Sequence, residues 1–231
     1  EGDGADTVFT RDVAINIEGS KGTGSLGTIY ACGGQNRTPQ GASSGKEITP
    51  NPEKYTVDGT VTITGTNALP DVDGAGATTT NVVFKGNGNQ AEKTYGNISS
   101  LTMESGNLVL KENSSFRDNG TLALKSGAKL DLQKTNEGNL NVGNFEGNDG
   151  FVFLGQNQNW RIEGQVTGTT KIAIGGTTYN DENSQKVPTV GHTYITAPNS
   201  LDDNFILLPP NSQTDMKLVR DTDGNWKATS N

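Results

Sequence analysis

"LTMESGNLVLKENSSFRDNGTLALKSGAKLDLQ", residues 101–133, states one pattern twice. Leu101 and Met103 recur as Leu122 and Leu124, and Gly106 recurs as Gly127 at the same interval. Leu108 and Leu110 recur as Leu130 and Leu132 at an interval one position longer. Each unit holds two apolar alternations of period two joined by a Gly, which is strand spacing and not helix spacing. Hairpins of a β-sandwich would also space strands at about 8–12 residues. The links inside "LTMESGNLVL" and "LALKSGAKLDL" are too short for comfortable long hairpins and suit the corners of a coil. A repeat of this length cannot bury its leucines alone. Winding sets each over its equivalent at about 4.8 Å and closes a narrow core. The expected fold is all-β, a parallel β-helix (β-solenoid) with about 20–22 residues per coil.

The spacing extends upstream, where Val61 and Ile63 precede Val82 and Phe84 by the interval that separates Leu101 from Leu122. It loosens downstream, where Leu140 and Val142 follow Leu122 and Leu124 more closely. Strand-like runs bounded by Gly, Asn or Asp recur throughout, from "DVAINIEG" and "GTIYACGG" to "WRIEGQV" and "MKLVRD". Only "NQAEKTYGN" and "SLDDNFILL" read as short helices, the second with Ser200 as its cap. Residues 1–186 are expected to form the β-helix domain, with Ile15, Ile17 and Ile29 in its first coils or a cap. Within it, a Gly- and Pro-rich loop insertion covers 31–55, and the most regular coils cover 56–180. Residues 187–231 change character, with Pro188, Pro198, Pro209 and Pro210, and are expected to cap the last open edge. There Asp223-Gly224, between alternating flanks, predicts a β-hairpin.

Composition agrees with a thin core. The 231 residues include 31 glycines, and only 30% are hydrophobic and 6% aromatic. Lys plus Arg number 18 against 26 Asp plus Glu, a net charge of −8. Such a surface repels phosphate backbones and anionic lipid, so no nucleic-acid partner is expected. No apolar run is long enough to span a bilayer, and no membrane insertion is expected. The opening "EGDGADTVF" lacks a signal-peptide pattern and suits a mature or excised segment whose export signal or anchor lies outside it. Cys32 is the only cysteine, so no disulfide or thiolate metal cluster can form within these residues. Between an apolar run and two glycines it reads as a small buried residue. His192, the only histidine, opens a strand-like alternation with no nucleophile motif beside it.

"TVTITG", "GTIYACGG" and the runs "GNLVL", "GTLAL" and "AKLDL" resemble the parallel β-helix domains of large bacterial surface proteins, of the adhesin-like and autotransporter-passenger type. The ending "GHTYITAPNS…MKLVRDTDGNW" is similar to the close of repeat-bearing surface proteins of Gram-positive gut bacteria. The resemblance covers about residues 55–180 and that tail. It implies export and surface display, and its motifs bring no functional residues with them.

Several constellations could carry chemistry. In "DTDGN", Asp221, Asp223 and Asn225 repeat the oxygen-rich opening of a calcium loop. The bidentate acid such a loop needs at its twelfth position has no counterpart here, so a hairpin turn is the preferred reading and no metal is assigned. Asp71 and Asp73 in "DVDGAG" are weaker and read as a loop between coils. Polysaccharide-cleaving β-helices need acids clustered on one outward face. Asp118, Asp131, Glu146 and Asp149 are scattered and read as solvated acids. Thr60, Thr62, Thr64 and Thr66 would all face outward, as an ice-binding rank would. At the repeat spacing their equivalents include Lys85, Thr102, Glu104, Ala123 and Lys125, so that rank breaks. Trp160 beside Arg161 could stack on a sugar, but a core-capping Trp is the preferred reading. The N-x-S/T triplets at Asn36, Asn97, Asn113 and Asn119 read as chance matches in an Asn- and Thr-rich chain.

Together these features favour a non-catalytic extracellular domain of a bacterial surface protein, adhesive or stalk-like, with host or environmental glycans or matrix proteins as partners. No catalytic residue, metal or cofactor is assigned. The alternatives are a β-helix carbohydrate-active enzyme, either polysaccharide lyase or glycoside hydrolase, and a phage tail-spike segment. Acids converging in a groove along one sheet would mark the enzyme. A trimer would mark the spike.

Overall fold

The computed structural model describes residues 13–17, 28–30, 57–65, 69, 71–73, 77–136, 140–176 and 185–230. Among them every regular element is a β-strand, and the chain winds through about 5 turns of a parallel solenoid. Three ladders line the coil. The first runs through β1 (Val13–Ile17), β3 (Val57–Gly65), β5 (Ala77–Lys93), β6 (Ile98–Leu110), β7 (Phe116–Leu124), β9 (Asn144–Glu146) and β12 (Val166–Thr167). The second takes the later halves of β5 and β6, then β8 (Lys129–Asp131), β10 (Gly150–Leu154), β13 (Thr170–Ile174) and β15 (Phe205–Leu207). The third is narrower: β2 (Thr28–Tyr30) and β4 (Asp71–Asp73) pair, Val72 bridges Tyr95, and Val142 bridges Ile162.

Alternation turns every second side chain into the core, and register stacks it. Ile63, Val82, Leu101, Leu122, Phe145 and Val166 form one buried column, and Ala91, Leu108, Leu130, Val152, Ile172 and Leu207 form another. The repeat read from residues 101–133 holds: Leu101 pairs with Leu122, Met103 with Leu124 and Leu108 with Leu130. Gly106 and Gly127 occupy the same corner between first and second ladders, with φ 83° and 76°. A β-carbon on Gly106 would land on the backbone of Gly86 in the preceding coil, so both the left-handed φ and the close approach require glycine there.

Two register expectations are corrected. Ile63 pairs with Val82, not Phe84, and Val61 pairs with Thr80, so that coil is one full pleat shorter than the spacing predicts. Phe145, not Leu140, lies over Leu122, while Val142 belongs to the third ladder. The first slip is a whole pleat, which preserves every inward and outward assignment, so alternation alone does not choose between those registers. The second, from Leu140 to Phe145, is an odd number of residues, because Leu140 and Val142 precede the strand that returns to the first ladder. Both helix expectations also fail. In "NQAEKTYGN", exposed Gln90 and Glu92 flank buried Ala91 in β5. In "SLDDNFILL", a turn at 201–204 precedes β15. A neighbouring strand supplies hydrogen bonds in each case, and tertiary pairing overrides local helix preference. Asp71 and Asp73 lie in β4 and not in a loop. Cys32, Asn36, Thr66 and the 31–55 insertion fall outside the described residues.

At the C-terminus a separate four-stranded sheet has the order β11 (Trp160–Arg161), β14 (Thr193–Thr196), β17 (Asn225–Ser230), β16 (Met216–Arg220). β16 and β17 form the expected antiparallel hairpin. Trp160 and Trp226 are buried there, with Phe205 between them at 6.1 and 5.0 Å and Phe145 4.8 Å from Trp160. The Trp226 indole N–H donates to Ser200 Oγ at 2.9 Å, and Ser200 Oγ donates to the Ala197 carbonyl at 2.6 Å. Ser200 thus anchors an aromatic side chain and caps no helix.

Candidate binding face

The corrected register changes what stands outside the first ladder. Between the buried positions, Thr62, Asn81, Ser100, Thr121 and Asn144 pair coil by coil into one outward column, which Gln165 continues. Gln165 in turn bridges Asn199. Beside it runs a second column of Thr64, Val83, Thr102, Ala123, Glu146 and Thr167. Lys85, assigned by the repeat spacing to the threonine rank, lies beyond both columns, where it pairs with Glu104 at 3.0 Å. The second column therefore continues as Val83, Thr102 and Ala123 where the sequence spacing placed lysines. From Thr62 to Ala123 these residues are half-buried, and from Asn144 to Thr167 they are exposed. Ser100 Oγ donates to Asn81 Oδ1 at 2.7 Å, and the Gln165 backbone N–H donates to Asn144 Oδ1 at 2.9 Å.

The outside of the second ladder is built differently. Phe151 lies between the ammonium groups of Lys129 and Lys171, at 5.4 and 4.9 Å from its ring centroid. Val109, Phe153 and Ala173 form a buried apolar cluster beside it. Glu92 and Lys134 pair at 2.6 Å.

The four acids that could have marked a hydrolytic site are distributed over both ladders and their corners. Asp118 is exposed in β7, Glu146 stands outside the first ladder and accepts from Asn148 at 2.7 Å, and Asp149, at a corner, pairs with Lys171 at 3.0 Å. Asp131 lies outside the second ladder. Burial pushes its carboxyl pKa up, against the hydrogen bonds from Gln133, whose backbone N–H lies 2.8 Å from Oδ1. That carboxylate closes its own turn.

Asp221 organises the hairpin that the sequence assigned to Asp223 and Gly224. Its Oδ1 accepts from the backbone N–H groups of Asp223 and Asn225 at 3.0 and 2.9 Å, and its Oδ2 accepts from Lys227 at 2.8 Å. The lysine contact first, and these amides with it, hold its carboxyl well below the usual range. Gly224 supplies the left-handed φ of 80° that the turn requires. No group of three or more His, Cys, Asp or Glu positioned to hold a metal ion occurs among the described residues.

Trp160 is fully buried, while Arg161 is exposed and pairs with Glu163 at 3.2 Å. His192 immediately precedes β14, its Nε2 3.2 Å from the Gln158 carbonyl oxygen and its ring packed edge-on against Tyr194. The three described N-x-S/T asparagines share a physical reason for being Asn. Asn97, Asn113 and Asn119 have φ of 52°, 68° and 62°, the left-handed region that Asn tolerates best after Gly.

The chain matches no protein-family model, no curated protein and no solved structure.

Proposed function

We propose that this chain is a non-catalytic, extracellular display domain of a bacterial surface protein, adhesive or stalk-like, whose partners are glycans or matrix proteins. One observation carries the reading. The fold devotes its residues to stacking coils, and stacking builds a continuous strip from Thr62 to Gln165 with a single ionisable side chain. A thin solenoid gives much display area per residue and suits projection from a cell. The dispersal of Asp118, Asp131, Glu146 and Asp149 supports the non-catalytic half, because general acid–base hydrolysis needs two carboxyls on one substrate. The absence of a long apolar helix among the described residues is consistent with a domain that does not itself insert by helices.

A panel of polysaccharides assayed for released reducing ends and for the absorbance of unsaturated products tests the reading. We expect no turnover. Turnover that disappears on replacing Asp131 or Glu146 would move the protein to the lyase or hydrolase class.

A further inference from the structure

We propose that the outer side of the first ladder binds an uncharged, extended polysaccharide laid across the coils from Thr62 to Gln165. This rests on the display reading and names its ligand class. Charge is the first support. In a chain with 19% charged residues, the two columns hold one ionisable side chain, Glu146. Protein surfaces ordinarily carry interspersed charges of both signs, and the outside of the second ladder follows that practice with Glu92, Lys129 and Lys171. A strip without cations offers nothing to sulfate, carboxylate or phosphate, and a net charge of −8 repels them.

Unbroken register is the second. The register irregularities of β5, β6 and β7 fall at Thr80/Asn81, Phe84/Lys85 and Ile98/Ser100, at the borders of the strip. Inside those borders Asn81–Phe84, Ser100–Met103 and Thr121–Leu124 stack without interruption. Five coil steps make a strip about 24 Å long with hydrogen-bonding groups about every 4.8 Å.

Bonding capacity is the third. Among the described residues the hydroxyls of Thr62, Thr102 and Thr167 have no hydrogen-bond partner, and the bond between Ser100 and Asn81 engages only the oxygen of the Asn81 amide. A neutral glycan carries hydroxyls on every sugar that both donate and accept, and its C–H faces suit Val83 and Ala123. Each hydrogen bond replaces one to water and contributes little alone, so affinity comes from repetition along the strip.

The test is affinity electrophoresis of the 231-residue protein through gels containing neutral polysaccharides (xyloglucan, mixed-linkage glucan, galactomannan) or acidic ones (polygalacturonate, alginate), beside the reducing-end assay. We expect retardation by at least one neutral polymer and none by the acidic ones. Asn81→Lys and Thr102→Lys should each weaken retention about tenfold, while Lys217→Gln on β16 leaves it unchanged. Should a lysine variant unfold, Thr102→Val, which removes only the hydroxyl, should still weaken retention measurably. Retardation by acidic polymers alone, by no neutral polymer, or undiminished in folded Asn81→Lys and Thr102→Val proteins overturns the proposal. Ice shaping lost in the same variants, without glycan retention, overturns it in favour of ice. A protein that binds and also releases reducing ends removes the non-catalytic reading and leaves the strip standing. One that does neither removes the strip alone.

Discussion

The coils around Leu101–Leu132 and the sheet at the C-terminus bury themselves by opposite means. In the coils the core is a file of aliphatic side chains, each resting on its equivalent, as Leu101 rests on Leu122 and Leu108 on Leu130. No layer is unique, and each is stabilised by two neighbours. The C-terminal sheet has no repeat to lean on. It sets both of its tryptophans against Phe145 and Phe205 of the last coils and locks Trp226 to Ser200 by a hydrogen bond. Repetition lets an interior form with few aromatic residues, whereas ending the repeat requires large, specifically bonded side chains.

The heaviest damage to the coil half is expected from Leu124→Asp. Leu124 is fully buried over Met103, so the carboxylate would lie unpaired between layers, and a loss of more than about 4 kcal/mol is expected by urea denaturation. A loss under about 1 kcal/mol would mean that the stack tolerates charge and is not a dry core.

Trp226→Ala attacks the other half and should cost about 3–5 kcal/mol. Hydrogen exchange distinguishes where the loss falls. Faster exchange confined to β14, β16 and β17 would show the two halves to be energetically separable, and uniform acceleration would show that the coils depend on their terminus.

At the corners the contrast is between two glycines of one kind. Gly106→Ala meets the Gly86 backbone as well as an unfavourable φ, and about 2 kcal/mol is expected. Gly127→Ala meets open space at a similar φ and should cost about 1 kcal/mol. Equal costs would mean that the corners do not approach as closely as described.

The mildest effects are opposite in sign with pH. Burial raises the Asp131 pKa, so the folded state holds its proton more tightly than the unfolded state, and stability falls as pH rises through the range between the two values. Asp131→Asn should therefore gain a modest advantage over the wild type in thermal midpoint at neutral pH, vanishing on acidification. Asp221 is the reverse. Its depressed pKa makes its contribution present above the usual carboxylate range and lost as pH falls through and below it. Asp221→Asn should lie below the wild type at neutral pH and converge with it in acid.

The leucine repeat was legible because both ladders take nearly the same step there, from Leu101 to Leu122 in the first and from Leu108 to Leu130 in the second. The coils on either side were not. The one before is shorter by a whole pleat, which preserves alternation, and nothing in "TVTITG" states whether Val82 or Phe84 lies over Ile63. The one after is displaced by an odd number of residues, because Leu140 and Val142 precede the strand that returns to the first ladder. That ambiguity also hid the neutral strip, since it hangs on whether Thr64 faces Val83 or Lys85. A column of Thr, Asn, Ser, Thr, Asn and Gln becomes visible in the sequence only after each coil is given its own length. The aromatic cluster was invisible for another reason. Phe145 and Phe205 lie far apart along the chain and share no local pattern with Trp160 or Trp226.

The direction of the inter-coil hydrogen bonds has a mechanical consequence. They run from coil to coil, so tension along the solenoid axis stretches each along its length and does not shear many at once. Under load such a chain opens as a zipper does, one coil at a time and at modest force, and each released coil lets out slack. At the C-terminal end the antiparallel pairing of β16 and β17 places Met216 beside Ser230, so tension applied at the last strand opens that hairpin from its free end too. Pulled from its two ends, this protein should behave as a shock absorber that lengthens in steps of one coil.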